Sequence, residues 1–100
     1  MAGTVLIVDD EVQLVRHLEH LLRTEGYQAV GVHSAAEARQ TAKSLYPDVV
    51  LLDLRLPDGD GTALMSELMP HHPSARYIII TAHGTIPSAV RRRSKGPATT

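Results

Sequence analysis

PDVVLLDLRLPDGDG, residues 47–61, decides the fold. Val49, Val50, Leu51 and Leu52 are consecutive apolar residues, two of them β-branched, with Pro47-Asp48 before them and a Pro/Gly-rich turn after. So short a run between turn signals fits a strand buried on both faces, as found inside a parallel sheet covered by helices. Asp53 then stands at that strand's carboxyl end. In open α/β sheets ligands bind in the crevice outside those ends, which makes Asp53 a candidate site residue. The plainer alternative is an aspartate at the edge of a sheet.

Working back towards the N-terminus, Thr4–Val8 is a second β-branched run, and it too ends in acid: Asp9, Asp10 and Glu11. Three acidic side chains in succession repel one another unless a cation or solvent relieves them, and hard divalent ions such as Mg²⁺ take carboxylate and carbonyl oxygens. An acidic helix N-terminus, stabilised by the helix dipole, is the competing reading. From Val12 the period becomes helical, with Leu14, Val15, Leu18, Leu21 and Leu22 on one face and Gly26 placed to cap the end. His17 and His20 fall on the polar side with no third ligand near, which reads as a solvated face. Tyr27–Val32 is a second strand. Ser34 and Glu37 form a capping box that opens a helix with Ala38, Ala42 and Leu45 inward, stopped by Tyr46-Pro47.

Beyond the central strand, Pro57–Gly61 turns into a third helix carrying Leu64, Met65 and Leu68, halted near Pro70 and Pro73. Met65 and Met69 read as core filler, and His71-His72 as solvated exit-loop residues. Tyr77–Ile80 is a fourth apolar strand, ending in Thr81-Ala82-His83-Gly84, and Thr85-Ile86-Pro87 opens a fourth helix. Strands and helices thus alternate with short connections. The expected fold is α/β: a doubly wound parallel sheet with helices on both faces. From Arg91 the periodicity fails, and residues 91–100 form an irregular basic tail that reads as a frayed, solvated end.

The bulk numbers agree with one soluble domain. In 100 residues, 43% are hydrophobic and 21% charged, and the net charge of -1 proposes neither nucleic acid nor an acidic lipid surface as a partner. The absence of cysteine excludes disulfides, thiolate metal sites and thiol nucleophiles. No apolar stretch approaches the ~18 residues a membrane span needs, and no basic leader precedes the first strand. The expected location is the cytoplasm.

Asp9, Asp10, Asp53 and Thr81 all fall at strand carboxyl ends, so they converge on one crevice although far apart in sequence. That arrangement suits phosphoryl transfer: one aspartate accepts the phosphoryl group, a metal held by other acids neutralises charge, and a hydroxyl donates to an oxygen. At this point three blocks in order, Leu6-Ile7-Val8-Asp9-Asp10-Glu11, Asp48–Asp53 with Pro57 and Gly61 following, and Ile78-Ile79-Ile80-Thr81-Ala82, resemble the receiver domain of bacterial two-component response regulators. The resemblance implies a flavodoxin-like sheet of order 2-1-3-4. It implies that Asp53 takes phosphate from a sensor histidine kinase. It further implies that Asp10, Asp53 and the backbone carbonyl of Arg55 hold Mg²⁺, with Asp9 helping through water, and that Thr81 contacts the phosphoryl group. Thr81-Ala82-His83-Gly84 is similar to receivers that regulate transcription through an output domain, and the expectation is that such a domain has been lost from this chain.

The departure lies at the C-terminus. The family's fifth strand, the lysine that follows it and the fifth helix are missing, and Lys95 stands too close to Thr81 to take that lysine's role. One permitted set of codons for residues 91–100, read from its third base, spells Glu-Ala-Ile-Lys-Gly-Ala-Cys-Asp-Tyr, similar to the family's passage into strand five. The expectation is an incomplete receiver over residues 1–90 followed by a frameshifted end, with truncation or a naturally short chain as alternatives. An uncovered Tyr77–Ile80 edge would then favour self-association. Two rival functions remain: an interaction module that keeps the fold without a phosphorylation cycle, and an aspartate-nucleophile phosphohydrolase of the haloacid dehalogenase type. The second requires an aspartate two residues after Asp53, where this chain has Arg55.

Overall fold

Asp53 ends the inner strand that joins the two halves of a parallel sheet. The computed structural model describes residues 3–80. In order these form β1 (Thr4–Val8), α1 (Val12–Thr24), β2 (Gln28–Val32), α2 (Ala35–Ala42), β3 (Val49–Asp53), the short β4 (Arg55–Leu56) and β5 (Gly59–Asp60), α3 (Gly61–Leu68) and β6 (Arg76–Ile80). The sheet order is β2-β1-β3-β6, every pairing parallel, while β4 and β5 make a separate antiparallel ladder. This is the doubly wound, flavodoxin-like order 2-1-3-4 expected from the sequence, with β6 in fourth place. Thr81, the fourth helix, Lys95 and the basic tail lie outside the described residues.

Because side chains alternate across a strand, each buried strand feeds two cores. Leu6 and Val8 of β1 and Val50 and Leu52 of β3 join Ala35, Ala38 and Ala42 of α2 and Leu64 and Leu68 of α3. Val5, Ile7 and Ala29 take the other face and meet Val15 of α1, with Leu18, Leu22, Val49 and Leu51 packed around them. Fully burying a Leu or Ile stabilises by about 1.5–3 kcal/mol, so these layers, more than helix propensity, hold α1 to α3 in place. Asp48 aligns the strand starts: its side chain accepts from Thr4 N (2.8 Å), its N–H donates to Thr4 O (2.8 Å), and its carbonyl accepts from Arg76 N (2.9 Å).

Gly26 ends α1 as expected. Its φ of 94° is in the left-handed region, and Tyr27 N donates to Leu22 O while Gly26 N donates to Arg23 O, each at 3.0 Å. Those bonds satisfy carbonyls that the helix end would leave bare.

Other expectations are corrected. Helix α2 stops at Ala42, not at Tyr46-Pro47, and its last turn tightens through bonds from Lys43 N to Gln40 O and from Ser44 N to Thr41 O. His72 is buried, not solvated: its Nε2 donates to the Ala42 carbonyl (2.9 Å) and its ring stands edge-on to Tyr46. It thereby caps one of the carbonyls that the early end of α2 leaves without a helical partner. Met69 and Leu21 are each 46% exposed, so neither is core; each lies at the rim of its helix's apolar stripe, where the neighbouring layer no longer reaches. Strand β2 begins at Gln28, one residue later than expected.

Candidate functional site

Register creates the site. Val8 of β1 pairs with Leu52 of β3, so Asp9 and Asp53 are the next residues along neighbouring parallel strands, whose spacing is about 4.8 Å. Asp9, Asp10 and Asp53 each bring one carboxylate oxygen to within 4.8 Å of the others. Asp9 and Asp53 are fully buried and Asp10 is exposed, so the cluster has a closed floor and an open side. An open depression of about 240 Å³, lined by Asp10, Arg55, Leu56 and Pro57, lies there. A larger hollow of about 390 Å³ between α2 and α3 is lined by Arg39, Tyr46, Glu67 and His72 among others, but its one carboxylate, Glu67, is held by Arg39. Chemistry, not volume, therefore selects the smaller one.

Local turns aim the two buried acids. Asp9 Oδ1 accepts from Glu11 N (2.9 Å) and Asp53 Oδ1 from Arg55 N (3.2 Å), each a side chain bonded to the backbone two residues on. After Asp53 the chain must double back at once, and Gly61 lets it. Gly61 N donates to Leu54 O (2.8 Å), and a Cβ at position 61 would run into the Asp53 carbonyl and lie 2.9 Å from Leu54 Cα. The glycine is required by close backbone approach. Between these points β4 and β5 zip residues 55–60 into a small hairpin.

Two further residues tie the pocket to α2. His33 Nδ1–H donates to the Asp9 carbonyl (3.1 Å). Asp58 accepts from Ala35 N through Oδ1 (2.8 Å) and from Ala36 N through Oδ2 (2.9 Å), and the Ala35 amide, then that of Ala36, holds its carboxyl below the usual aspartate range. The capping box at Ser34 forms in modified shape: Glu37 N donates to Ser34 Oγ (3.1 Å), while the Glu37 carboxylate accepts from His33 N (2.7 Å) and not from Ser34 N.

The donor set is all oxygen, from three carboxylates, which is what a hard divalent cation takes and what thiophilic or imidazole-seeking metals do not. Of the residues expected from sequence, Asp9, Asp10 and Asp53 come together and Arg55 borders them, while Thr81 lies outside the described residues. Sequence reasoning missed Asp58 and His33, whose partners lie 22 to 24 positions away and leave no local pattern.

The sequence profile of the response regulator receiver domain matches residues 5–98. The chain belongs to that family. It is 38% identical over 92 residues to the transcriptional regulatory protein GlrR of Escherichia coli (strain K12), which covers 92% of this chain and 21% of GlrR. The chain thus spans about a fifth of that relative's length. Among solved structures, the response regulator TrrA of Thermotoga maritima in complex with Mg²⁺-BeF is 29% identical with a TM-score of 0.76, over 92% of this chain and 76% of TrrA. A response regulator of Burkholderia pseudomallei with a phosphorylated aspartic acid and a calcium ion is 26% identical with a TM-score of 0.77, over 96% of this chain and 56% of that one. Receivers are signalling domains, and among the described residues no helix is long and apolar enough to cross a membrane.

Proposed function

We propose that Asp53 is the phosphoacceptor of this receiver, and that Asp10, Asp53 and the Arg55 carbonyl hold Mg²⁺ with Asp9 acting through water. The observation that carries this is the convergence of Asp9, Asp10 and Asp53 at the carboxyl ends of adjacent parallel strands, one face of the cluster open. A Mg²⁺ ion bound there would neutralise charge on the phosphoryl oxygens. The chain's own part is nucleophilic. A carboxylate oxygen of Asp53 attacks the phosphorus of a phosphohistidine on a sensor histidine kinase; an O–P bond forms, the P–N bond breaks, and its electron pair returns to the imidazole nitrogen, which takes up a proton. The bonds from Glu11 N to Asp9 and from Arg55 N to Asp53 hold the two buried carboxylates in place at the floor of the pocket, beneath the exposed Asp10. Thr81, following β6 in sequence, is assigned the contact to a phosphoryl oxygen.

Support comes from TrrA, recorded with Mg²⁺-BeF, and from the Burkholderia pseudomallei protein with its phosphorylated aspartic acid. As GlrR is a transcriptional regulatory protein nearly five times as long as the match, we assign this receiver to the control of a transcriptional output domain in the cytoplasm. We place the receiver proper at residues 1–90 and the basic stretch 91–100 beyond it, although the profile match runs on to residue 98.

Incubation with acetyl phosphate and Mg²⁺, read by intact mass, tests the assignment. The expected result is one phosphate per chain, lost in Asp53→Asn and on chelation of Mg²⁺. A folded chain that binds Mg²⁺ and takes no phosphate is an interaction module instead, and sustained release of phosphate from a phosphomonoester would point to a phosphohydrolase.

A further inference from the structure

We propose that Asp58 is a positioning residue for the acid pocket: by clamping the hairpin after Asp53 to the start of α2, it holds the Arg55 main chain at the metal. This rests on the reading of Arg55 as a carbonyl ligand given above. Three amides at the start of α2, those of Ala35, Ala36 and Glu37, have no carbonyl of their own helix to bind. Ser34 satisfies only Glu37. The other two donate to the two oxygens of one carboxylate, Asp58, so the helix is completed by a residue from another part of the chain.

The clamp acts on the pocket because of where Asp58 sits. Arg55 pairs with Asp60 and Leu56 with Gly59, which leaves Pro57-Asp58 as the tip of a hairpin whose base is Arg55, beside Asp53. Proline stiffens that tip by fixing its own φ. A short, paired hairpin moves as a unit, so anchoring its tip to α2 restricts its base. The same helix start reaches the other half of the pocket, since His33, next to Ser34, donates to the Asp9 carbonyl. Both loops that carry the acids are thereby referred to one rigid element. The depressed ionisation of Asp58 agrees with a carboxylate that stays charged and clamped at neutral pH.

Amide NMR titration with Mg²⁺ on the full chain tests this, using Asp58→Asn beside two controls. Ser34→Ala removes the helix's own cap without touching the hairpin, and Asp60→Asn removes the same charge from the same hairpin without touching α2. Asp58→Asn should weaken Mg²⁺ binding about tenfold, the low end of what loss of a ligand-orienting group does. Both controls should bind Mg²⁺ as the parent does, Ser34→Ala melting earlier. Equal affinity in Asp58→Asn and parent, or an equal fall in all three variants, overturns the role. Because coupling is reciprocal, Mg²⁺ should also slow hydrogen exchange at the Ala35 and Ala36 amides of the parent several-fold; unchanged exchange overturns it without any variant. A parent that binds no Mg²⁺ refutes the function proposed above together with this role, whereas normal Mg²⁺ binding in Asp58→Asn refutes this role alone.

Discussion

Two glycines of one motif should respond oppositely to the same substitution. At Gly61 an added Cβ meets the Asp53 carbonyl oxygen and lies 2.9 Å from Leu54 Cα and 3.0 Å from the Asp53 carbonyl carbon, all backbone atoms that no rotamer change can clear. The backbone must part, which stretches or breaks the Gly61 N–H to Leu54 O bond of 2.8 Å. Overpacking a tight site costs roughly 1–3 kcal/mol, and leaving a buried amide or carbonyl unpaired about 1–3 more. Gly61→Ala should therefore lose about 3 kcal/mol, a large share of the ~5–15 kcal/mol that holds a domain folded. With a urea m-value of ~1–3 kcal/mol/M, the midpoint falls by at least about 1 M. At Gly59, by contrast, the nearest atom to an added Cβ is Ala35 Cβ at 4.0 Å, an ordinary contact. There Ala should be neutral or stabilising by up to about 1 kcal/mol, through the less flexible unfolded chain. Mg²⁺ titration of Gly61→Ala should show a weakened site as well, because the atom displaced belongs to Asp53 itself. Equal urea midpoints for the two variants would refute the reasoning.

Leu64 is fully buried between α3 and the sheet, so Leu64→Ala should cost about 2–5 kcal/mol in urea, while Leu21→Ala, at a position 46% exposed, should change stability by less than ~0.5 kcal/mol. His72→Ala strips the Ala42 carbonyl of its donor and should cost about 1–3 kcal/mol; a loss no larger than that of the exposed His71→Ala would show that the bond at 2.9 Å contributes nothing. The Asp58 clamp has a pH signature. Its folded-state ionisation is lowered by the Ala35 and Ala36 amides, so its contribution is complete above the ordinary value of 3.8 and is lost as pH falls through the lower folded value. The gap in melting temperature between parent and Asp58→Asn should be constant above that point and close below it; a gap that persists in acid contradicts the clamp.

What the sequence by itself determined rests on short-range rules. A run such as Val49–Leu52 between turn residues fits a covered strand, a helical period from Val12 buries one stripe, and Gly26 readily takes φ 94°. The alternation of such segments points to a parallel sheet, and a parallel sheet brings the residues after Val8 and Leu52 side by side, so the clustering of Asp9, Asp10 and Asp53 is legible in the sequence. Only the tertiary structure decided the rest. Met69 and Leu21 lie at the edges of their stripes, and which edge is buried depends on how far the facing layer extends, which no helix encodes alone. His72 reads as solvent-facing because polar residues beside Pro usually are, and Asp58, exposed at the tip of its turn, gives no local sign of a distant partner. Each is instead claimed by a helix end that local sequence leaves incomplete, His72 by the Ala42 carbonyl and Asp58 by the Ala35 and Ala36 amides. An unsatisfied helix terminus will take whichever polar group the fold brings within reach, and that reach is set by the packing of α2 against the β3–α3 loop and the chain beyond α3.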